Sequence, residues 1–282
     1  MPAGKLYVVA TPLGNLEDIT LRALRILKEV DVIAAEDTRH SLRLLNHYGI
    51  SRHLVSYWGE KEKVKAEETL SLLKTGKNVA LISDAGTPGI ADPGGVLIRR
   101  AWEEGIRIEP IPGPSAVIAA LSVSGFPAEE FIFSGFLPAK RSRRRKVLEI
   151  LSREKRTIVF YEAPHRIVES FDDIADIFGD RQTLLLREMT KMHEELMRGG
   201  AGGIRDRLKD TMLAGEFVIV IEGRREEENL SAEEALEEIE ALMKKGFGRK
   251  EAVKRVAAEY GLSRKELYDR SLSGQQEDQG RE

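Results

Sequence analysis

The sequence predicts an α/β protein whose strands and helices alternate along the chain. Short runs of β-branched and aromatic residues, such as residues 5–10 (KLYVVA), are each followed by a segment with helical periodicity. Several of these runs end in clusters of Gly, Pro and acidic residues, as in residues 81–94. This alternation, followed through residue 121, is typical of a mostly parallel sheet. Ligands of open α/β sheets bind outside the carboxyl ends of the strands, so the polar clusters are the candidate sites.

The composition sets limits on the class of protein. A chain of 282 residues is long enough for two ordinary domains, and 41% hydrophobic with 32% charged residues is typical of a soluble protein. No apolar run reaches membrane-spanning length, and the first residues lack a signal-peptide pattern, so we expect a cytoplasmic protein. The absence of cysteine excludes disulfides, a thiolate nucleophile and cysteine-ligated metal. A formal net charge of -3 argues against a generally basic protein that coats nucleic acid.

The first predicted domain spans residues 1–112. Its first strand runs into a turn in which Pro12 and Leu13 replace the glycines of a dinucleotide-binding fingerprint. A second strand, residues 32–35, ends in Glu36, Asp37, Thr38 and Arg39. The acidic pair could be catalytic, or it could cap the next helix and pair with Arg39; the residues favour neither interpretation.

Residues 81–94, LISDAGTPGIADPG, form the central stretch of this domain. An apolar strand ends in the carboxylate Asp84, a turn of Gly and Pro follows, and a helix is predicted to start near Asp92-Pro93. Small residues let backbone approach a ligand closely, and glycines such as Gly86 accept unusual backbone angles. One interpretation is a pocket for a nucleotide-like cofactor, with Asp84 near its hydroxyls. The other is an ordinary strand-to-helix turn.

A second predicted domain spans residues 113–226 and begins with a Pro-Gly-Pro turn. Ser115 is a plausible N-cap of a helix over residues 115–121, and the free N–H groups of such a helix start can bind a carboxylate or another anion. Pro-Gly-Pro is also a common way to turn a corner. Further strands are predicted at residues 131–134, 157–161, 183–187 and 217–221.

Six cations fall within seven positions after the first of these strands. They are predicted to lie in a loop that contacts RNA or DNA phosphates, and the alternative is a solvated helix start. The cations are Lys140, Arg141, Arg143, Arg144, Arg145 and Lys146.

Two later strand ends carry titratable residues. Glu162, His165 and Arg166 follow one strand, and Glu188 and Lys191 follow the next. Histidine is the usual group for proton transfer near neutral pH, although a lone histidine is more often a structural hydrogen-bonder.

Three short helices are predicted in residues 227–282, after a charged linker over residues 224–229. The first starts with a capping-box-like Ser231, and the set resembles a helix-turn-helix unit. One edge could face phosphates, while a dimerisation or capping module explains the acidic first helix equally well. The tail from Ser273 is polar and predicted to be disordered. The cations of the edge are Lys244, Lys245, Arg249, Lys250, Lys254 and Arg255.

Eight segments taken together carry a resemblance that covers almost the whole chain. In order along residues 5–223 they read VVATPLGNLEDIT, AEDTR, LISDAGTPGIADPG, PIPGPSA, GFLPAK, FYEAPHRI, REMTK and GEFVIVIEG. The sequence closely resembles the bacterial small-subunit (16S) ribosomal RNA methyltransferase I family of the tetrapyrrole methylase superfamily. The C-terminal helices are similar to the helix-turn-helix appendage of that family.

The resemblance implies two α/β domains with S-adenosyl-L-methionine in the cleft between them, and commonly a homodimer. It implies 2′-O-methylation of a cytidine ribose in the decoding region of 16S rRNA, within the small (30S) ribosomal subunit. By motif position it also implies cofactor contacts. These contacts are Leu13, Asp84, Thr87, Ser115, Ala116 and Tyr161. One departure is the run Gly199-Gly200-Ala201-Gly202-Gly203, where relatives carry a less glycine-rich helix start.

A ribose hydroxyl is a poor nucleophile, so a general base or a charge that stabilises the alkoxide should help. The hypothesis from the sequence is that Glu162, His165, Glu188 or Lys191 serves this purpose, with Glu36 and Arg39 from the facing domain as further candidates. Two rival functions are a methyltransferase for a corrinoid precursor and a non-catalytic ribosome-assembly factor that binds RNA. No metal-ligand spacing, P-loop or nucleophile triad is evident, so no metal is expected.

Overall fold

The fold was analysed in a computed structural model. The structure describes residues 2–57, 62–209, 214–224, 232–244, 246–260 and 262–278. The chain divides into two compact units, residues 1–224 and residues 225–282. Each unit is described by itself.

The first sheet of the larger unit is entirely parallel, as the alternation of strands and helices predicted. Its strand order is β3-β2-β4-β1-β5. Every residue of β2 and β4 is buried, because helices cover both faces of the sheet. The strands are β1 (Lys5–Val9), β2 (Val32–Ala35), β3 (His53–Ser56), β4 (Val79–Ile82) and β5 (Arg107–Ile111).

Four helices cover this sheet, two on each face. The helices are α1 (Leu21–Glu29), α2 (Thr38–His47), α3 (Glu62–Lys74) and α4 (Gly95–Glu103). The first two pack into one hydrophobic core and the last two into another, and alternate residues of β2 and β4 point into the two cores. The winding direction therefore reverses between the neighbouring strands β1 and β4. In doubly wound sheets the crevice at such a reversal is the usual ligand site.

The second sheet is mixed, which the sequence patterns did not predict. Its order is β6-β7-β10-β8-β9; β6 and β7 are parallel, and the other neighbours are antiparallel. Strand β9 was not predicted, and it ends inside the glycine run at Gly200, where α8 begins. The elements are α5 (Ala116–Ser124), β6 (Phe131–Phe136), α6 (Arg141–Leu151), β7 (Thr157–Glu162), α7 (Ile167–Phe178), β8 (Gln182–Arg187), β9 (Glu195–Gly200), α8 (Ala201–Lys209) and β10 (Phe217–Ile221).

The prediction of a basic loop over residues 140–146 is wrong, because these residues form the start of α6 with Lys140 as its N-cap. Arg144 is completely buried, and its Nε donates to Asp173 Oδ2 at 2.8 Å. Asp173, on α7, also accepts from Arg141 and Arg145. The Asp173 carboxylate therefore neutralises part of the positive charge of residues 140–146, which the sequence analysis predicted to lie in a solvent-exposed loop.

The smaller unit contains the three predicted helices, which are α9 (Ala232–Lys244), α10 (Arg249–Tyr260) and α11 (Arg264–Asp278). Ile239, Val253, Val256 and Leu267 pack into a core between them. Helix α11 continues to Asp278, so the prediction of disorder from Ser273 is wrong up to that residue. The predicted linker beyond residue 224, the cap at Ser231 and the last four residues lie outside the described residues.

Candidate active site

The loops after β1 and β4 are joined directly above the crevice. Thr11 and Gly86 form an isolated antiparallel bridge, with N···O distances of 2.8 Å and 3.0 Å in the two directions. Gly86 has φ +74°, and an added Cβ would lie 3.3 Å from Leu13 Cδ2. The backbone conformation therefore favours glycine, and a larger residue would also press on Leu13.

A cavity of about 390 Å³ lies beside this bridge, between the carboxyl ends of the first sheet and the second sheet. The structure brings all six predicted cofactor contacts to its wall. They are Leu13, Asp84, Thr87, Ser115, Ala116 and Tyr161. The alternative interpretation of residues 81–94 as an ordinary turn does not account for this convergence.

The Pro-Gly-Pro turn is held against the central loop. Thr87 Oγ1 donates to the carbonyl of Pro114 at 3.1 Å. Ser115 is the N-cap of α5, and its side chain makes no capping hydrogen bond. The first N–H groups of α5 therefore lack the side-chain partner that an N-cap usually supplies, and Ser115 and Ala116 both line the cavity.

Five acidic residues line the cavity: Glu36, Asp84, Asp92, Glu162 and Glu216. Glu36 Oε2 accepts from the backbone N–H of Asp84 at 3.2 Å, and Asp84 Oδ1 accepts from the N–H of Asp37 at 3.0 Å. Burial raises the pKa of Glu36. Burial, followed by the charges of Glu36, Asp84 and Glu216, raises the pKa of Asp92 to about 7. The cavity therefore favours positive charge.

The two acidic residues that follow β2 differ in their surroundings. Asp37 is the N-cap of α2, where its Oδ1 accepts from Arg39 N–H at 2.8 Å and its Oδ2 pairs with Arg39 Nη2 at 3.2 Å. Glu36 instead lines the cavity. Arg39 lies in an adjoining recess of about 500 Å³ that shares Glu36 and Asp84 with the cavity. The capping interpretation is therefore confirmed for Asp37, while Glu36 occupies a position from which it could contact a ligand.

Glu162, the last residue of β7, and His165, which follows that strand, differ sharply in environment. The Glu162 carboxylate is buried; it accepts from Ser170 Oγ at 2.6 Å and pairs with Arg166 Nη2 at 2.6 Å. These bonds occupy both of its oxygens. His165 is exposed and is not part of the cavity wall.

Glu188 and Lys191 form a contact between the two sheets. Lys191 Nζ bonds to Glu188 Oε1 at 2.8 Å and to Glu216 Oε2 at 3.1 Å. Burial lowers the pKa of Lys191, but the hydrogen bonds and charges of the two glutamates outweigh it and raise the pKa. The aliphatic part of Lys191 covers Gly14, next to Leu13; an added Cβ at Gly14 would lie 2.3 Å from Lys191 Cγ.

Backbone strain is concentrated in loops that border the cavity. Within the described ranges, the non-glycine residues with positive φ are Ala91, Glu188 and Thr190. Ala91 precedes Asp92, and Thr190 Oγ1 accepts from the backbone N–H of Asn15 at 3.1 Å. Strained residues of this kind persist where the surrounding structure holds them, which is common at functional sites.

The basic surface of α6 contains fewer free cations than the sequence suggested. Arg141, Arg144 and Arg145 all bond to Asp173. Three exposed cations of this segment make no ion pair with any residue that the structure describes: Lys140, Arg143 and Lys146. Arg144 is excluded from RNA contact by its burial.

In the smaller unit, the predicted basic edge is present on α10. Lys250, Lys254 and Arg255 line one shallow recess, and Lys250 and Lys254 also line a second. Arg249 is half-buried, and its Nη1 donates to the carbonyl of Ser271 at 3.0 Å. Lys244 is exposed, and Lys245 lies outside the described residues.

Sequence reasoning missed two acidic residues of the cavity wall, Asp92 and Glu216. Asp92 was interpreted only as a helix start, although a carboxylate between two Gly-Pro-rich turns is a signal that could have identified it. Glu216 has no sequence signal, because its position depends on Gly215, whose φ is +97°. Among the residues that the structure describes, no group of three or more His, Cys, Asp or Glu side chains could hold a metal ion, and no helix has the length and apolarity needed to cross a membrane.

Comparison with known proteins identifies the family. The profile of the Tetrapyrrole (Corrin/Porphyrin) Methylases matches residues 5–205. A protein of Halalkalibacterium halodurans named ribosomal RNA small subunit methyltransferase I is 43% identical over 274 residues, which are 94% of each chain. A Pseudomonas aeruginosa protein of the same name is 44% identical over 98% of this chain and 99% of its own. The namesake in Thermotoga maritima is 48% identical over 78% of this chain and 99% of its own.

Solved structures agree on the fold. A cobalamin biosynthetic enzyme, cobalt precorrin-4 methyltransferase, superposes with a TM-score of 0.61 at 19% identity, covering 77% of this chain and 94% of that enzyme. Diphthine synthase superposes with a TM-score of 0.58 at 14% identity, covering 78% and 90%. The predicted fold class is therefore confirmed. The chain belongs to the tetrapyrrole (corrin/porphyrin) methylase family and, within it, to the ribosomal RNA small subunit methyltransferase I proteins.

Proposed function

We propose that this protein transfers a methyl group from S-adenosyl-L-methionine to the ribose 2′-hydroxyl of a cytidine in the decoding region of 16S rRNA, within the small (30S) ribosomal subunit. The family makes the chain a methyltransferase, and methyltransferases of this family use S-adenosyl-L-methionine. The observation that carries the proposal is the convergence of six sequence-predicted cofactor contacts on one cavity. The chain is also 41–48% identical to curated rRNA methyltransferases.

The chemistry of the cavity wall fits this cofactor. The carboxylates Glu36, Asp84 and Asp92 suit its sulfonium and amino cations, while Asp84 can also accept hydrogen bonds from its ribose hydroxyls. The N–H groups at the start of α5 suit its carboxylate. Apolar surface for an adenine is offered by Leu13, Ile90 and the Tyr161 ring. The Tyr161 ring packs edge-on against Phe136, with the two ring centroids 5.6 Å apart.

When bound, the cofactor supplies a methyl group already activated on a sulfonium. The protein therefore needs to hold the hydroxyl in line with that methyl group and to manage one proton. Among the residues predicted to be catalytic, Lys191 is the cation; it is paired with Glu188 and with Glu216, and Glu216 lines the cavity. We assign it to the stabilisation of negative charge on the nucleophilic oxygen. The bonds of Glu162 support a role in holding the loop after β7.

Exposed cations supply the proposed RNA contacts. Lys140, Arg143 and Lys146 lie on α6, with Arg141 and Arg145 beside them, and Lys250, Lys254 and Arg255 lie on α10. A small corrinoid substrate needs neither group of cations, which favours RNA over that rival. We further propose a homodimer in the cytoplasm, with domain limits at residues 1–112, 113–226 and 227–282.

The test is methyl transfer from labelled S-adenosyl-L-methionine to 30S subunits, free 16S rRNA and a corrin precursor. Label on a ribose 2′-hydroxyl of the rRNA is the expected result, and mapping it identifies the nucleotide. Label on the corrin precursor alone would overturn the RNA assignment. Tight RNA binding without any transfer would favour the assembly-factor function.

Single alanine substitutions test the predicted catalytic residues. Replacing Glu162, His165, Glu188 or Lys191 should abolish turnover in at least one case while cofactor affinity is retained, and Lys191 is the case we expect. Should all four variants remain active, a catalytic role for this set is wrong.

A further inference from the structure

Of the five acidic residues on the cavity wall, four are held by hydrogen bonds or ion pairs to the protein, and Glu162 is held by Ser170 and Arg166. Glu36 accepts from the Asp84 N–H, Asp84 accepts from the Asp37 N–H, and Glu216 is paired with Lys191. No hydrogen bond or ion pair to the Asp92 carboxylate occurs in the described part of the chain. Asp92 therefore keeps its acceptor positions for a ligand.

The loop that carries Asp92 is held rigidly. Gly89 N–H donates to the Pro93 carbonyl at 3.2 Å, and Gly94 N–H donates to Glu62 Oε1 at 3.2 Å. Ala91 has φ +61°, a left-handed conformation that a residue with a Cβ rarely adopts. The loop thus fixes the direction of the residue that follows Ala91, and that residue lines the cavity.

The charges around Asp92 make it a better base than an ordinary aspartate. Glu36, in the loop after β2, and Asp84, in the loop after β4, act on it through their charges. Glu216, in the segment before β10, does the same, and Tyr161 lies near it on β7. Like charges and burial both disfavour the ionised carboxylate, so the pKa of Asp92 rises to about 7. A base whose pKa lies near the working pH is the most effective in proton transfer.

We propose that Asp92 is the residue that accepts the proton of the attacking ribose hydroxyl. The inference rests on the proposed function. It gives Asp92 a role that follows neither from the sequence motifs nor from the names of the similar proteins. The hydroxyl oxygen forms the new O–CH₃ bond with a lone pair as the S–CH₃ bond breaks, and the electron pair of that bond stays on sulfur. The hydroxyl proton passes to the Asp92 carboxylate and from there to solvent.

This assignment has a consequence for cofactor binding itself. A cation bound in the cavity favours the ionised form of a carboxyl group on its wall, so binding should release the proton that Asp92 holds. At pH 7 a group with a pKa of about 7 is half protonated, so about half a proton should be released for each cofactor bound.

The first experiment measures this release on the full-length protein. Titration calorimetry with S-adenosyl-L-methionine in phosphate and in Tris at pH 7 gives the number of protons released by the wild type and by Asp92→Asn. The wild type should release about half a proton more than the variant. S-adenosylhomocysteine, which lacks the sulfonium charge, should reduce this difference. Equal release by both proteins would overturn the assignment.

The second experiment measures turnover on the RNA substrate. Asp92→Asn should bind S-adenosyl-L-methionine more weakly than the wild type, because it lacks the charge that cofactor binding favours, and at saturating cofactor it should lose about 100-fold or more in kcat. The wild-type kcat should rise with pH through the pKa of Asp92 in the cofactor complex, which the bound cation lowers below its value in the free protein, and the variant should lack that rise. Glu68→Gln removes one carboxylate from an exposed pair on α3 and should leave the rate and its pH profile unchanged.

The two experiments fail in different ways. Wild-type protein that labels no RNA contradicts the proposed function, and the proton count then still decides whether Asp92 titrates with the cofactor. Wild-type protein that labels RNA while Asp92→Asn keeps kcat within threefold contradicts the role of Asp92 alone. If the melting curve shows that Asp92→Asn is unfolded, Asp92→Ser replaces it in both comparisons.

Discussion

Thr11 and Gly86 exchange two backbone hydrogen bonds, of 2.8 Å and 3.0 Å, across the point where the winding of the first sheet reverses. The bridge joins loops that are more than 70 residues apart in sequence. Thr11 Oγ1 strengthens it by donating to the Ser83 carbonyl at 3.1 Å. The backbone bridge beside the cavity is therefore already formed in the absence of a ligand.

Replacing Gly86 by alanine should disturb both the fold and the site. The positive φ costs a residue with a Cβ about 1–2 kcal/mol, and the new methyl group presses on Leu13 at the cavity wall. We expect a lower melting temperature and weaker binding of S-adenosyl-L-methionine, by about tenfold for each 1.4 kcal/mol of lost binding energy. Thermal unfolding and calorimetry measure the two effects.

The matched control for this change is Gly202→Ala. Gly202 lies in α8, its φ is not positive, and an added Cβ meets nothing within 4 Å. Alanine should stabilise the helix by about 1 kcal/mol or less and leave cofactor binding unchanged. Equal effects of the two substitutions on cofactor affinity would contradict the role given to Gly86.

Asp173→Asn should destabilise the larger unit strongly. The substitution removes the buried carboxylate bonded to the buried Arg144 guanidinium and leaves it only the exposed carboxylate of Glu169 at 3.5 Å, and breaking a buried ion pair costs about 3–5 kcal/mol. Urea unfolding followed by circular dichroism measures the loss. Asp176→Asn is the control, because its partner Arg145 is shared with Asp173 and the Asp176 side chain is 62% exposed. A similar loss from both variants would show that burial is not the cause.

The same aspartate should make stability depend on acid. Burial raises the pKa of Asp173, but hydrogen bonds from Arg144, Arg141 and Arg145 outweigh it, so the pKa lies below the usual 3.8. Its contribution is complete above about pH 3.8, the value in the unfolded chain, and is lost as the pH falls through the lower folded pKa. The difference in unfolding free energy between wild type and Asp173→Asn should therefore be constant from pH 7 to about 5 and shrink below about pH 4. A difference that shrinks near neutral pH would contradict this.

Removal of two exposed cations from α6 should weaken RNA binding in a salt-dependent way. The double variant Arg143→Ala with Lys146→Ala should reduce the slope of log affinity against log salt by about 0.7–0.9 for each phosphate that the variant no longer neutralises. Filter binding to 16S rRNA at several salt concentrations measures the slope. Arg25→Ala, which removes an exposed cation from α1, is the control and should not change the slope. An unchanged slope in the double variant would show that Arg143 and Lys146 do not contact RNA phosphates.

The sequence predicted structure best where a residue pattern is compatible with few local structures. The strands of the first sheet were predicted because buried parallel strands are continuous apolar runs. The predicted cofactor contacts were taken from the resemblance, and they all line the cavity; Asp84 was also singled out by its position at a strand end. The second sheet was harder, because the antiparallel order of β8, β9 and β10 depends on long-range pairing that periodicity does not encode.

The basic segment shows why local patterns mislead. Six cations in seven positions suggested a loop, since like charges repel in a helix. Asp173, about 30 residues away, removes much of that repulsion through three arginines. Asp92 was overlooked for the converse reason, because its raised pKa arises from burial and from nearby carboxylates, two of which, Glu36 and Glu216, lie on other segments of the chain.

Strand β10 lies in the middle of the second sheet although it is the last strand of the chain. The β6–β7 pair and the β8–β9 pair therefore remain separate until residues 217–221 insert between them. Contacts this distant in sequence slow folding, and during synthesis they form only after the chain has been made almost to the end of the larger unit. Glu216, Phe217 and Val218 also line the cavity. A nascent chain should consequently acquire cofactor affinity in a single late step, which makes binding a direct reporter of complete folding.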